Sequence, residues 1–448
     1  MPDGIPGRRI QVQSNGMLYS EPSSRIAGSE FARILRVFWI GMVLRVGLVL
    51  TLQATGLERT LKLTKDAFLY DRVGKQIAEH YRTNGGTSWP GRVSGVLDHL
   101  YEHFVGLTYY LTDDSMLVVR LCNALAGGLV ILATWRMARY VTDADTAYRC
   151  GLWACFFPTQ FYYSCLPVRD AHSTLAMTLV FLGMTALTPG GKRTHVMALP
   201  LGILLTAGYR TYVATVLVFL VPAGLFAAIL LARSQKKSQL LGRAALLGVI
   251  ALGVAGPAGI EKLSSTGKAA HVMDMDYWNS TRQKMNRGSG ALYGGDEVPE
   301  LGKSIVSTVQ GVAIGLYFFF VSINPAEMDS VRQWMAVPEV LIVLYMIPKL
   351  YRGFRRIMRY HRFEFIAVLF VAVAITFAYS SVTTNAGPLM RWRLQVANVY
   401  IVMAAIGLSR NYAVETKKRT QRESSELGRE QPDGMAAAPP GWQLQPGP

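Results

Sequence analysis

Charge is scarce in this 448-residue chain: Asp, Glu, Lys and Arg make up 17% of it, against about 25% in ordinary soluble domains. Cysteine is scarcer still. Cys122, Cys150, Cys155 and Cys165 lie in or near apolar stretches, and no pair has zinc-site spacing with a histidine. They read as small packing residues, implying neither a structural disulfide nor a structural metal. Neither GxGxxG nor GxxxxGK[ST] occurs, and no soluble stretch is large enough for a nucleotide-sugar domain, so no nucleotide cofactor is expected.

What is present is apolar. Hydrophobic residues make up 51% of the chain, and residues 171–191, 211–232, 304–326 and 365–390 carry no charge at all. Crossing a bilayer takes roughly 20 such residues. The runs are continuous, whereas barrel strands alternate, and backbone groups in lipid must be satisfied internally. The expected fold is therefore all-α: a polytopic membrane helical bundle with about 10–11 transmembrane or re-entrant segments.

The net charge of +17 would suit nucleic acid if it were spread over a surface. Instead the basic residues gather in 233–243, in 349–362 and after Arg410, the pattern of cytoplasmic loops, and no nucleic-acid partner is expected. Placing 1–33 inside makes 34–57 a retained first helix, because it lacks a cleavage pattern. Residues 58–114 then form a first extracytoplasmic loop, with an amphipathic helix over 65–81 and a loop or lid at 84–100 around Trp89-Pro90. Further spans are expected near 115–136, 147–166, 171–188, 196–208, 211–232 and 244–260, followed by a second long outer loop, 261–303. If 304–323 crossed, the basic 349–362 loop would fall outside. That segment is expected to be re-entrant or to pack without crossing, with 333–348 carrying the chain inward. Spans at 363–382 and 391–409 and a disordered cytoplasmic tail, 411–448, complete the scheme.

This topology brings a few charges to one outer face. Asp66 could deprotonate a hydroxyl, hold a divalent cation, or simply cap the helix that follows. In the Arg169-Asp170 pair, the arginine could grip a phosphate and the aspartate could work with Asp66. Arg210, Arg391 and Arg393 are surplus outer arginines. A lipid phosphate would account for them, as would snorkelling to headgroups. Arginines two apart lie on different helix faces, so Arg391 and Arg393 need not reach one ligand. His99 and His103 could share a helix face but lack the HExxH pattern.

Three stretches resemble a known family: DAFLYDRVGKQIA (66–78), FPTQFYYSCLPVRD (157–170) and NAGPLMRWRLQ (385–395). They are similar to motifs of the polyprenyl-phosphate-sugar-dependent membrane glycosyltransferases of the GT-C superfamily, which includes protein O-mannosyltransferases and the aminoarabinose transferases of lipid A. The resemblance covers roughly 34–410. It implies an inverting hexosyl or pentosyl transferase of the bacterial inner membrane, taking its sugar from a polyprenyl phosphate and passing it to a glycan, lipid or protein acceptor. By the same resemblance Asp66 and Asp170 are the catalytic carboxylates. Tyr70, Arg169, Arg210, Arg391 and Arg393 line the substrate and its phosphate. The chain departs from the family in lacking an adjacent acidic pair in the first loop and in having Asn398 where a proline is common. A pyrophosphate-linked polysaccharide polymerase or ligase, and a lipid-glycan flippase, remain alternatives.

Overall fold

A computed structural model describes residues 24–56, 65–84, 99–187, 193–231, 275–286, 299, 301–321, 331–359, 363–383 and 385–409. These form helices without a sheet: α1 (Ser24–Thr55), α2 (Lys65–Thr83), α3 (Leu100–Thr112), α4 (Met116–Val141), α5 (Ala144–Phe156), α6 (Pro158–Tyr163), α7 (Asp170–Ala186), α8 (Arg193–Val196), α9 (Ala198–Tyr209), α10 (Thr211–Leu231), α11 (Met275–Asn286), α12 (Ile305–Val321), α13 (Val331–Arg359), α14 (Phe363–Val382) and α15 (Ala386–Leu408). The protein is a multi-pass membrane bundle. Gly28–Thr55, Met116–Val141, Thr211–Leu230 and Phe365–Val382 are each long and apolar enough to cross a bilayer. The other core helices are shorter, broken, or carry buried charge. The expected lid around Trp89-Pro90, the basic loop 233–243, the span 244–260, most of 261–303 and the tail lie outside the described residues.

α7 sits at the centre, packed against α4, α9, α14 and α15. Small residues let it approach its neighbours closely. A Cβ on Gly202 of α9 would lie 2.6 Å from the Val180 backbone nitrogen.

Polar contacts sort the helix ends into two sets. At one end Arg139 pairs with Glu30 at 3.1 Å, Arg33 with Asp145 at 2.9 Å, and Ser409 donates to Asp143 at 3.2 Å. Arg356 donates to the Ile406 carbonyl at the same end. At the opposite end lie α2, α3, the start of α4, the turn before α7, the end of α9 and the start of α15. The basic half of α13 runs beside the C-terminal half of α15, with Gly353 against Met403 and Gly407 against Lys349. The end of α12 is held by Arg393, which donates to the carbonyls of Phe319 and Phe320, and the Phe320 ring meets Tyr400 of α15 edge-on at 5.8 Å.

Three boundaries differ from the sequence reading. The first helix starts at Ser24 rather than 34. The second span runs to Val141 rather than 136, where Asp143 caps the next helix by accepting from the Thr146 amide at 2.8 Å. The expected span 147–166 breaks at Phe157, because Pro158 has no N–H to continue the helix. The freed amide of Thr159 is taken up at 2.9 Å by Glu339, reaching across from α13.

Candidate active site

Asp170 is the first residue of α7, where the helix dipole favours a negative charge. Its Oδ1 accepts from Arg210 Nη2 at 2.7 Å and its Oδ2 from Arg391 Nε at 2.7 Å. Arg391 also donates through Nη1 to Asp66 Oδ2. Arg210 sits at the break between α9 and α10 and donates through Nη1 to the Tyr212 hydroxyl at 2.7 Å. Residues from α2, α7, the α9–α10 break and α15 thus form one cluster. Side-chain exposure rises from 0% at Asp170 and 3% at Arg210 to 17% at Arg391 and 43% at Asp66. Asp170 is the floor of the site and Asp66 its rim.

Arg169 stands at the N-cap of α7. Its Nε is buried without a hydrogen-bond partner among the described residues, and its charge is felt by both Asp66 and Tyr70. Burial alone would raise the Asp66 carboxyl. The charge and hydrogen bond of Arg391, with Arg169 and Arg210 beyond, more than offset this and hold it below the ordinary carboxylate range. Tyr70 lies one turn after Asp66, edge-on to Tyr101 with ring centroids 4.8 Å apart. Burial pushes its hydroxyl up to about 12, so it stays a neutral donor at physiological pH.

Arg393 does not join this group. Two residues along α15 it faces the other way, pairing with buried Glu339 and binding the α12 carbonyls. It holds α12, α13 and α15 together, so the structure does not bring it to the cluster with which the sequence grouped it. His99 and His103 also point to separate partners, His99 towards Glu102 at 3.6 Å and His103 towards Tyr81 at 3.5 Å. No group of three or more His, Cys, Asp or Glu side chains suited to a metal ion occurs among the described residues. Both site carboxylates are already neutralised by arginine, an arrangement that does not fit a divalent cation.

The sequence reading missed a polar layer behind the cluster. Asn123 of α4 contacts the carbonyls of Leu166 and Val168, the Tyr101 hydroxyl and His172. An asparagine inside an apolar run was the available signal.

Residues 100–258 match the family described as dolichyl-phosphate-mannose-protein mannosyltransferase. Over this stretch the chain is similar to that family. The stretch contains Arg169, Asp170 and Arg210, while Asp66 and Arg391 come from helices on either side of it. No curated protein matches the chain. The matched domain and the membrane bundle together support a polyprenyl-phosphate-sugar-dependent glycosyltransferase of the GT-C type.

Proposed function

We propose that residues 34–410 form a catalytic transmembrane domain that moves a hexose or pentose from a polyprenyl phosphate to a hydroxyl on a lipid, glycan or protein acceptor. The observation that carries this reading is a charge imbalance. Arg169, Arg210 and Arg391 converge on a site with two carboxylates, Asp66 and Asp170, leaving one positive charge and a partnerless buried N–H for an anion. A phosphate monoester at the end of a lipid chain is such an anion, and arginine forks suit it.

In the reaction, Asp66 takes the proton of the acceptor hydroxyl as its oxygen forms a bond to the anomeric carbon. The bond from that carbon to the phosphate oxygen breaks from the opposite face, so the configuration inverts. The leaving phosphate keeps the electron pair, and the arginines stabilise the charge that develops there. Asp170 is too buried to meet the acceptor; its role is to orient Arg210 and Arg391.

The end of the bundle rich in arginine and lysine faces the cytoplasm by the usual charge rule. The site then opens to the extracytoplasmic side of a bacterial inner membrane, with both termini inside. The product serves cell-envelope or exported-polysaccharide synthesis. The test is transfer by purified wild-type protein from a panel of labelled polyprenyl-phosphate sugars to a membrane-lipid extract. Transfer that vanishes in folded Asp66→Asn supports the assignment. Transfer only from pyrophosphate-linked donors would move it to a polymerase or ligase.

A further inference from the structure

One buried side chain of α4, outside the cluster, joins α3, α7 and the turn before α7, and through His172 reaches α9. Asn123 is fully buried in α4. Its Nδ2 lies 2.5 Å from the Leu166 carbonyl, 3.0 Å from the Val168 carbonyl and 3.0 Å from the Tyr101 hydroxyl. Its Oδ1 lies 2.9 Å from His172 Nε2, and His172 Nδ1 lies 3.2 Å from the Tyr209 hydroxyl.

The chemistry of these groups sets which way the amide faces. Carbonyl oxygens only accept, so the amide nitrogen must face them and Oδ1 must face His172. Nε2 must then carry a proton and donate to Oδ1, while Nδ1 pairs with the Tyr209 hydroxyl.

Each end of the relay adjoins a residue of the site. Leu166 and Val168 belong to the turn that delivers Arg169 and Asp170. His172 is two residues past Asp170, and Tyr209 immediately precedes Arg210. Tyr101 meets Tyr70 edge-on, one turn from Asp66. We infer that Asn123 and His172 are positioning residues for the anion site, setting the register of the 166–170 turn against the α9–α10 break so that Arg169, Arg210 and Asp170 meet one phosphate. The inference rests on the phosphate reading proposed above.

The test uses full-length protein in detergent with sugar-free polyprenyl phosphate as the probe, measuring its Kd and the unfolding temperature in parallel. His172→Phe keeps the ring but removes the donor to Asn123, freeing the amide to turn. It should weaken binding about tenfold or more, since a buried acceptor is left unpaired. His172→Gln restores an N–H near the Nε2 position and should bind within about threefold of wild type. Asn123→Leu, close in size, should match or exceed the loss in His172→Phe.

If wild type fails to bind polyprenyl phosphate, the proposed function falls and takes this inference with it. If wild type binds, and folded His172→Phe and Asn123→Leu bind equally well, only the positioning role is overturned. It is also overturned if His172→Phe and His172→Gln lose affinity and unfolding temperature together, because the relay would then serve folding alone.

Discussion

Arg391 and Asp170 are 221 residues apart in the chain and 2.7 Å apart in the fold. Arg391 uses Nε for Asp170 and Nη1 for Asp66, so one guanidinium joins the floor of the site to its rim. The floor contact is buried and the rim contact is open to solvent, and the two should respond very differently to mutation.

Replacing Asp170 with Asn removes the counter-charge from two arginines at once. Arg210 is almost fully buried, and an uncompensated buried charge costs about 3–5 kcal/mol. Asp170→Asn is expected to lower the unfolding temperature markedly and to abolish transfer. Thermal unfolding with and without polyprenyl phosphate checks this. The ligand should recover part of the loss, because its phosphate supplies the missing negative charge.

Asp66→Asn should behave in the opposite way. Asp66 is half open to solvent, and exposed pairs contribute little to stability. The unfolding temperature should stay near that of wild type while transfer is lost. Arg391, released from its rim partner, becomes freer to hold phosphate, so polyprenyl phosphate should bind at least as tightly as to wild type. Retained turnover, or a fall in affinity as large as the fall in rate, would show that Asp66 is a ligand-positioning group and not the base.

The depressed Asp66 carboxyl predicts a pH signature. Its folded pKa lies below the unfolded value of about 3.9. The stability it contributes is therefore present above that unfolded value and lost as pH falls through the folded one. In the free protein the acidic limb of kcat/KM should lie below the usual carboxylate range. A bound phosphate draws on Arg391 and adds negative charge nearby, both of which raise the Asp66 carboxyl. The acidic limb of kcat should accordingly lie at higher pH than that of kcat/KM. Coincident limbs would mean that the donor does not engage Arg391.

The helical class was legible because uncharged runs near twenty residues have few physical solutions. The meeting of Asp66, Asp170, Arg210 and Arg391 was partly legible, since the basic loops assign all four to one end. Their pairing was not, because periodicity places a residue on a face but says nothing of which helix lies opposite. The break at Phe157 shows the same limit. Pro158 announces an interruption, but only the distant Glu339 decides that the chain pauses there and restarts a helix. Asn123 was visible as a polar residue in an apolar run, whereas its acceptors lie more than forty residues away in a turn that sequence periodicity does not describe.

Arg393 gives the sharpest contrast with Arg391, its neighbour but one. Arg393 and Glu339 are both buried in the bundle, where Glu339 also caps α6 and Arg393 anchors the end of α12. Arg393→Gln leaves Glu339 charged and unpaired and should destabilise the fold by about 3–5 kcal/mol. Combining Arg393→Met with Glu339→Gln removes both charges while keeping an acceptor for the Thr159 amide, and should recover most of that loss. The double variant should bind polyprenyl phosphate as wild type does, whereas Arg391→Gln should weaken binding at least tenfold through the loss of a charge-assisted contact. Unfolding and binding curves for the three proteins decide the matter. A double variant that is stable yet unable to bind would put Arg393 back into the phosphate site.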